Sequence, residues 1–145
     1  MAPEDFGREP NRYPTLTGLD TTEPTQLSDR VRSGLPFTTL DTLVDRSGLS
    51  RQDVLGVLQI PARTLSRRRT EGRFNADESD RLLRVARVWA RVLDLFDGDV
   101  DGARTWLHAP QSIFDDATPL DFARTEIGAR AVEALIDRME HGVAS

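Results

Sequence analysis

The segment PARTLSRRRTEGR, residues 61–73, carries five arginines (Arg63, Arg67, Arg68, Arg69 and Arg73) in a chain whose formal net charge is −5. Guanidinium groups match phosphate oxygens and the O6/N7 edge of guanine, so such a cluster suits nucleic-acid contact. The competing reading is a solvated helix face on which Glu71 partners Arg67 one turn back. Against it, Arg67, Arg68 and Arg69 are consecutive, cover most of a helix's circumference and repel one another unless something negative arrives. Residues 61–92 hold nine arginines against four acids, while the remainder holds ten against twenty. The acidic total therefore does not exclude DNA, because phosphate contacts depend on the local patch.

Catalysis is not expected. The two histidines, His108 and His141, lie far apart, and no Ser-His-Asp order, phosphate-cradling glycine loop or H-E-x-x-H is present. Asp97, Asp99 and Asp101 alternate as in a calcium loop, but Gly102 comes too early and no glutamate follows at the twelfth position. They read as the polar start of a helix. With no cysteine there are no disulfides, no thiolate chemistry and no Cys-ligated zinc, which fits a reducing cytoplasm. No cofactor or metal is expected. The N-terminal residues lack a secretory signal, and no apolar run approaches the roughly 20 residues that span a bilayer.

The elements that must position the arginines are helical. Residues 1–23, with three prolines and no apolar periodicity, read as a flexible arm on which Tyr13 and Leu16 are the only docking candidates. Helices are then predicted from Pro24 to Gly34, and from Phe37 to Gly48. Ser50 caps a third, with Asp53 in the capping-box place, and Pro61 opens a fourth. The longest begins at Asn75 and carries the stripe Leu82, Val85, Ala86, Trp89, Leu93 and Phe96. A short helix at 100–107 follows, then the cap Thr118-Pro119-Leu120-Asp121, then a last helix at about 126–140. That last helix is predicted to bury Ile127, Ala131, Val132, Leu135 and Ile136. Trp106, Phe114 and Phe122 read as core. Sustained strand alternation is absent, so the fold class is all-α.

Helices 50–58 and 61–69, joined by Gln59 and Ile60, match a helix-turn-helix, whose second helix lies in the major groove. Arg63, Thr64 and Arg67 are spaced to share its outward face, with Ser66, Arg68, Arg69 and Arg73 as further contacts; Leu65 points inward. Ser50 and Gln52, at the start of the preceding helix, are placed to meet a phosphate. The glycine usual at the turn is Gln59 here, and the small residue usual four places earlier is Leu55. Along the longest helix, Arg81, Arg84, Arg87 and Arg91 form a second stripe. Asp77 and Asp80 partly neutralise its first half, and Arg87 and Arg91 remain candidates for phosphate or an acidic partner.

The string IPARTLSRRRTEGRFNADESDRLLRVARVWARVLDLF, then ARTWLHAPQSIF and TPLDFARTEIGARAVEALIDRMEHGV, resembles the Xre/MbcA/ParS-type antitoxins that pair with RES-domain toxins. The resemblance covers about residues 26–145. It implies a helix-turn-helix DNA-binding region at 24–74 and a helical toxin-binding and dimerisation domain at 75–145. It further implies neutralisation of a RES-domain enzyme that consumes NAD or transfers ADP-ribose, and repression of the chain's own operon as a homodimer or with toxin bound. Carried over, the segment that hinders NAD entry to the toxin is Glu140, His141, Gly142, Val143, Ala144 and Ser145. Residues 93–145, with eleven acids against four arginines, suit a basic partner. The alternatives are a stand-alone helix-turn-helix regulator with a C-terminal dimerisation domain and no toxin, and an interaction module whose arginines bind an acidic protein.

Overall fold

The computed structural model describes residues 13–142, with side chains from Thr15 onward, and every regular element among them is helical. The helices are α1 (Tyr13–Leu16), α2 (Pro24–Ser33), α3 (Thr38–Ser47), α4 (Arg51–Leu58), α5 (Ala62–Glu71), α6 (Ala76–Leu95), α7 (Val100–Leu107), α8 (Pro119–Phe122) and α9 (Glu126–Glu140), with a 3-10 turn at Ser112–Phe114. No helix among the described residues is long and apolar enough to cross a membrane.

Helix α6 organises the rest. Its twenty residues make it about 30 Å long, and α1, α2, α3, α4, α7 and α9 all pack on it. A complete capping box starts it: Asn75 Oδ1 accepts from the Glu78 N–H at 2.8 Å, and Glu78 Oε1 accepts from the Asn75 N–H at 2.9 Å. The predicted stripe is buried from Leu82 to Leu93, and the Trp89 indole donates to the Ser47 carbonyl at 2.8 Å. One apolar cluster runs from Leu16 through Leu40, Val54 and Trp89 to Ile136. The packing has no break near residue 74.

Residues 15–19 do not form the flexible arm that composition predicts. Leu16 is fully buried and Thr17 nearly so, α1 packs on α6 and α3, and Arg46 donates to the Thr15 carbonyl at 2.8 Å. One leucine reaching the apolar face of α6 anchors a segment whose composition is otherwise that of a linker. Residues 1–12 of the predicted arm lie outside the described residues.

Helix α5 is secured largely by polar contacts. No residue of α5 is fully buried. The Phe37 N–H bonds the Gly72 carbonyl and the Phe74 N–H bonds the Leu35 carbonyl, both at 2.9 Å, while Phe37 stacks on Phe74 with centroids 5.1 Å apart. Arg68 Nε donates to Glu78 Oε1 at 2.6 Å and its Nη1 to Glu71 at 3.1 Å; the Glu78 side chain is only 5% exposed. Burial alone raises the Glu78 pKa. The Arg68 bond, the Asn75 N–H and the charges of Arg68 and Arg81 outweigh it and hold the carboxyl below the ordinary glutamate value.

The depressed pKa means that Glu78 binds a proton less readily folded than unfolded. Its stabilisation is whole above the ordinary glutamate range and is lost as pH falls through the folded value. Glu78→Gln is expected to cost about 2 kcal/mol at neutral pH and to flatten the acid limb of the stability curve. Urea unfolding of both proteins across the acid range measures this.

Candidate nucleic-acid and partner interfaces

The helix-turn-helix closes despite its unusual turn. Ser50 Oγ accepts from the Asp53 N–H at 3.0 Å, which starts α4 as predicted. Gln59 takes the left-handed conformation that glycine normally supplies (φ 52°, ψ 43°), and its N–H bonds the Leu55 carbonyl at 3.0 Å. Arg81 reaches across from α6 and donates to the Leu58 carbonyl at 2.6 Å, satisfying a group left open at the end of α4. Leu55 is half-buried against the core and does not obstruct the turn.

Helix α5 then presents Arg63, Ser66, Arg67 and Thr70, all exposed, within about one third of its circumference at 100° per residue. Thr70 was legible at the same spacing but is missing from the predicted set. Thr64 sits half-buried at the edge of this face, and Gln52 is exposed at the start of α4. Arg69 is exposed, with its guanidinium carbon 5.6 Å from the Phe37 ring centroid. Two members of the predicted cluster turn elsewhere. Arg68 is 14% exposed and holds Glu78 and Glu71. Arg73 Nη1 donates to the Gly34 carbonyl at 2.5 Å and the Ser33 carbonyl at 3.4 Å, closing the end of α2. Both guanidiniums serve the fold and leave the outward face to Arg63 and Arg67.

In the second arginine stripe Arg84 keeps the predicted i,i+4 partner Asp80 at 3.7 Å, but the main partners of the stripe lie on α9. Arg84 Nε donates to Glu126 Oε1 at 3.1 Å and its Nη1 to the Arg124 carbonyl at 3.1 Å. Arg87 bridges Glu126 at 3.1 Å and Glu133 at 3.0 Å, and Arg91 binds Asp137 and, at 3.4 Å, Glu140. The stripe is thus the polar seam between α6 and α9. Burial alone raises the Glu126 pKa, but the charges of Arg87 and Arg130 and bonds from Arg84 and Arg87 keep it below the ordinary value.

The TEIGAR motif positions α9. Thr125 Oγ1 accepts from the Gly128 N–H at 2.9 Å as N-cap, and Glu126 receives the α6 arginines. A Cβ on Gly128 would stand 1.7 Å from the Phe122 carbonyl oxygen, so only glycine admits this approach. Phe122 in turn stacks on buried Phe114 at 4.3 Å, Leu107 is buried, and Trp106 leans half-buried on Phe96. Asp99 caps α7 through the Gly102 N–H, as a polar helix start does. The inner face of α9 is Gly128, Ala129, Val132 and Ile136. Ile127, predicted to be buried, is 86% exposed. Glu140, His141 and Gly142 follow at the helix end, with His141 Nδ1 2.8 Å from the Asp137 carbonyl; Val143, Ala144 and Ser145 lie outside the described residues.

A two-helix unit with a cationic outward face, built on one core with a second helical half, defines an all-α protein of helix-turn-helix type. Residues 26–87 match the antitoxin Xre-like helix-turn-helix domain, and residues 91–142 match the antitoxin Xre/MbcA/ParS C-terminal toxin-binding domain. Proteins named antitoxin Xre from Yersinia enterocolitica serotype O:8 / biotype 1B and Photorhabdus laumondii subsp. laumondii are each 37% identical over 129 residues, covering 88% of this chain and 87% of theirs. The chain belongs to the Xre antitoxin family, which is not a family of enzymes. The two matched domains meet inside α6.

Gly128→Ala is expected to destabilise the chain by about 1–3 kcal/mol, the range for forcing atoms into a packed site. A lowered thermal midpoint with unchanged helical content at low temperature is the measurement.

Proposed function

We propose that this chain is a type II antitoxin that neutralises a RES-domain toxin and represses its own operon from the cytoplasm. In this reading it acts as a homodimer on operator DNA. The observation that carries the reading is the division of labour between the two ends of one core. The outward arginines belong to the helix-turn-helix match, and the toxin-binding match ends at the helix leading into residues 140–145. In DNA, Arg63 and Arg67 read base edges, Ser66 and Thr64 bond bases or phosphates, and Gln52, Arg69 and the first turn of α4 after Ser50 hold the backbone. A stand-alone regulator has no use for a toxin-binding domain, and that match favours the antitoxin.

Arg63→Ala and Arg67→Ala are each expected to weaken operator binding by roughly 1–3 kcal/mol without lowering the thermal midpoint. Operator titrations at several salt concentrations test this, because lost phosphate contacts flatten the salt dependence and lost base contacts do not. Wild-type affinity in both variants rejects the assignment.

In the toxin complex, residues 140–145 enter the active-site cleft and hinder NAD. Deleting residues 141–145 is expected to release toxin activity while leaving operator binding and stability unchanged. Growth and cellular NAD on co-expression with the adjacent gene product give the readout, and full protection by the truncated chain rejects the tail's role.

A further inference from the structure

Helix α9 has an inner face, a polar seam and an outer edge that is only partly covered. Gly128, Ala129, Val132 and Ile136 enter the core. Glu126, Glu133, Asp137 and Glu140 meet the arginines of α6. The outer edge carries Ile127, Ala131, Leu135 and Met139, one residue every four, on a single ridge whose middle residues Ala131 and Leu135 also lean on the core. Ile127 is 86% and Met139 39% exposed, and Ala131 and Leu135 are half-buried. Arg138 stands beside the ridge, exposed and with no ion pair among the described residues.

We infer that this ridge is the docking surface for the toxin, and that the toxin meets it with an apolar groove bearing a carboxylate opposite Arg138. The inference rests on the proposed antitoxin function and extends it from the tail to the helix before it. The ridge lies within the toxin-binding match, and its last residue, Met139, directly precedes Glu140 in the sequence. Charge points the same way. The acids that make this half of the sequence negative are, on α9, neutralised by α6, so the free face is apolar and cationic. It complements an acidic rim, not the basic partner that net charge suggests. A second copy fits less well. From residue 127 to residue 139 the ridge is about 18 Å long and one helix wide, short of the roughly 1,200 Å² that a stable dimer buries.

The test uses the full chain and the purified product of the adjacent toxin gene in calorimetric titration. Ile127→Asp and Arg138→Glu are each expected to weaken toxin binding at least tenfold, while Ile127→Val and Arg138→Lys retain it. Ile127 lies in the first turn of α9, where the helix dipole favours an aspartate, so the first variant keeps the fold; an unchanged thermal midpoint and operator affinity verify this. Wild-type toxin affinity in Ile127→Asp overturns the inference and leaves the antitoxin reading standing. So does loss of a dimer by light scattering with toxin affinity intact, which assigns the ridge to a second copy. Deleting residues 141–145 should leave binding within about tenfold of wild type; complete loss overturns the ridge in favour of the tail alone. If the wild-type chain does not bind the product, the antitoxin reading itself fails and the inference falls with it.

Discussion

The arrangement depends on the row of guanidinium groups along α6. Arg81 ends on the last carbonyl of α4, and Arg84, Arg87 and Arg91 end on the carboxylates of α9. The opposite face of the same helix is the apolar stripe that every neighbouring helix packs against. Apolar burial is non-directional and tolerates sliding, whereas bonds to particular oxygens do not. Half-buried ion pairs of this kind add little net stability over well-packed apolar residues, yet losing one partner leaves a costly orphan. Their contribution here is register. They fix where α4 and α9 stand relative to a common axis.

Helix starts were legible because capping is local. Ser50, Asn75, Thr118 and Thr125 each bond an N–H three residues on, which a reader of sequence can see. The α9 partners of Arg84, Arg87 and Arg91 stand 39–49 residues away, beyond any rule of i,i+4 spacing. Asp80 does pair with Arg84 at 3.7 Å, as the i,i+4 spacing predicts, but spacing could not reveal the carboxylates of α9. Ile127 was misplaced for a different reason. The sets 127, 131, 135 and 128, 132, 136 have the same period, so periodicity finds a stripe but cannot choose between neighbouring ones. Gly128 was the deciding residue, since a glycine that admits the Phe122 carbonyl must face inward.

The arginine cluster shows the same division between composition and placement. Five guanidiniums in thirteen residues suggest one continuous basic surface, but Arg68 and Arg73 are needed to hold α5 and the end of α2. What remains outward is a narrower face centred on Arg63 and Arg67. A helix with no fully buried residue needs such polar anchoring, because Leu65 alone gives it little apolar grip. Gln59 fits this picture: an αL residue other than glycine costs about 1–2 kcal/mol, and the bonds from its own N–H to Leu55 and from Arg81 to Leu58 offset that strain.

Net charge is a poor guide to the surface of the C-terminal half for a related reason. A partner meets exposed groups, not totals. Four of the eleven acids in residues 93–145 lie on α9 and point at arginines outside that segment, so counting by segment assigns the charge to one helix and its compensation to another. Once the seam between α6 and α9 is paired, the outer side of α9 carries Ile127, Met139 and Arg138. An isoleucine left 86% exposed at the head of a capped helix gives nothing to the core of the isolated chain. Burying it on a partner recovers up to roughly 3 kcal/mol of apolar transfer free energy. Among the described residues two of the three large exposed hydrophobics, Ile127 and Met139, lie on α9, and the third, Ile113, lies in the 3-10 turn before α8.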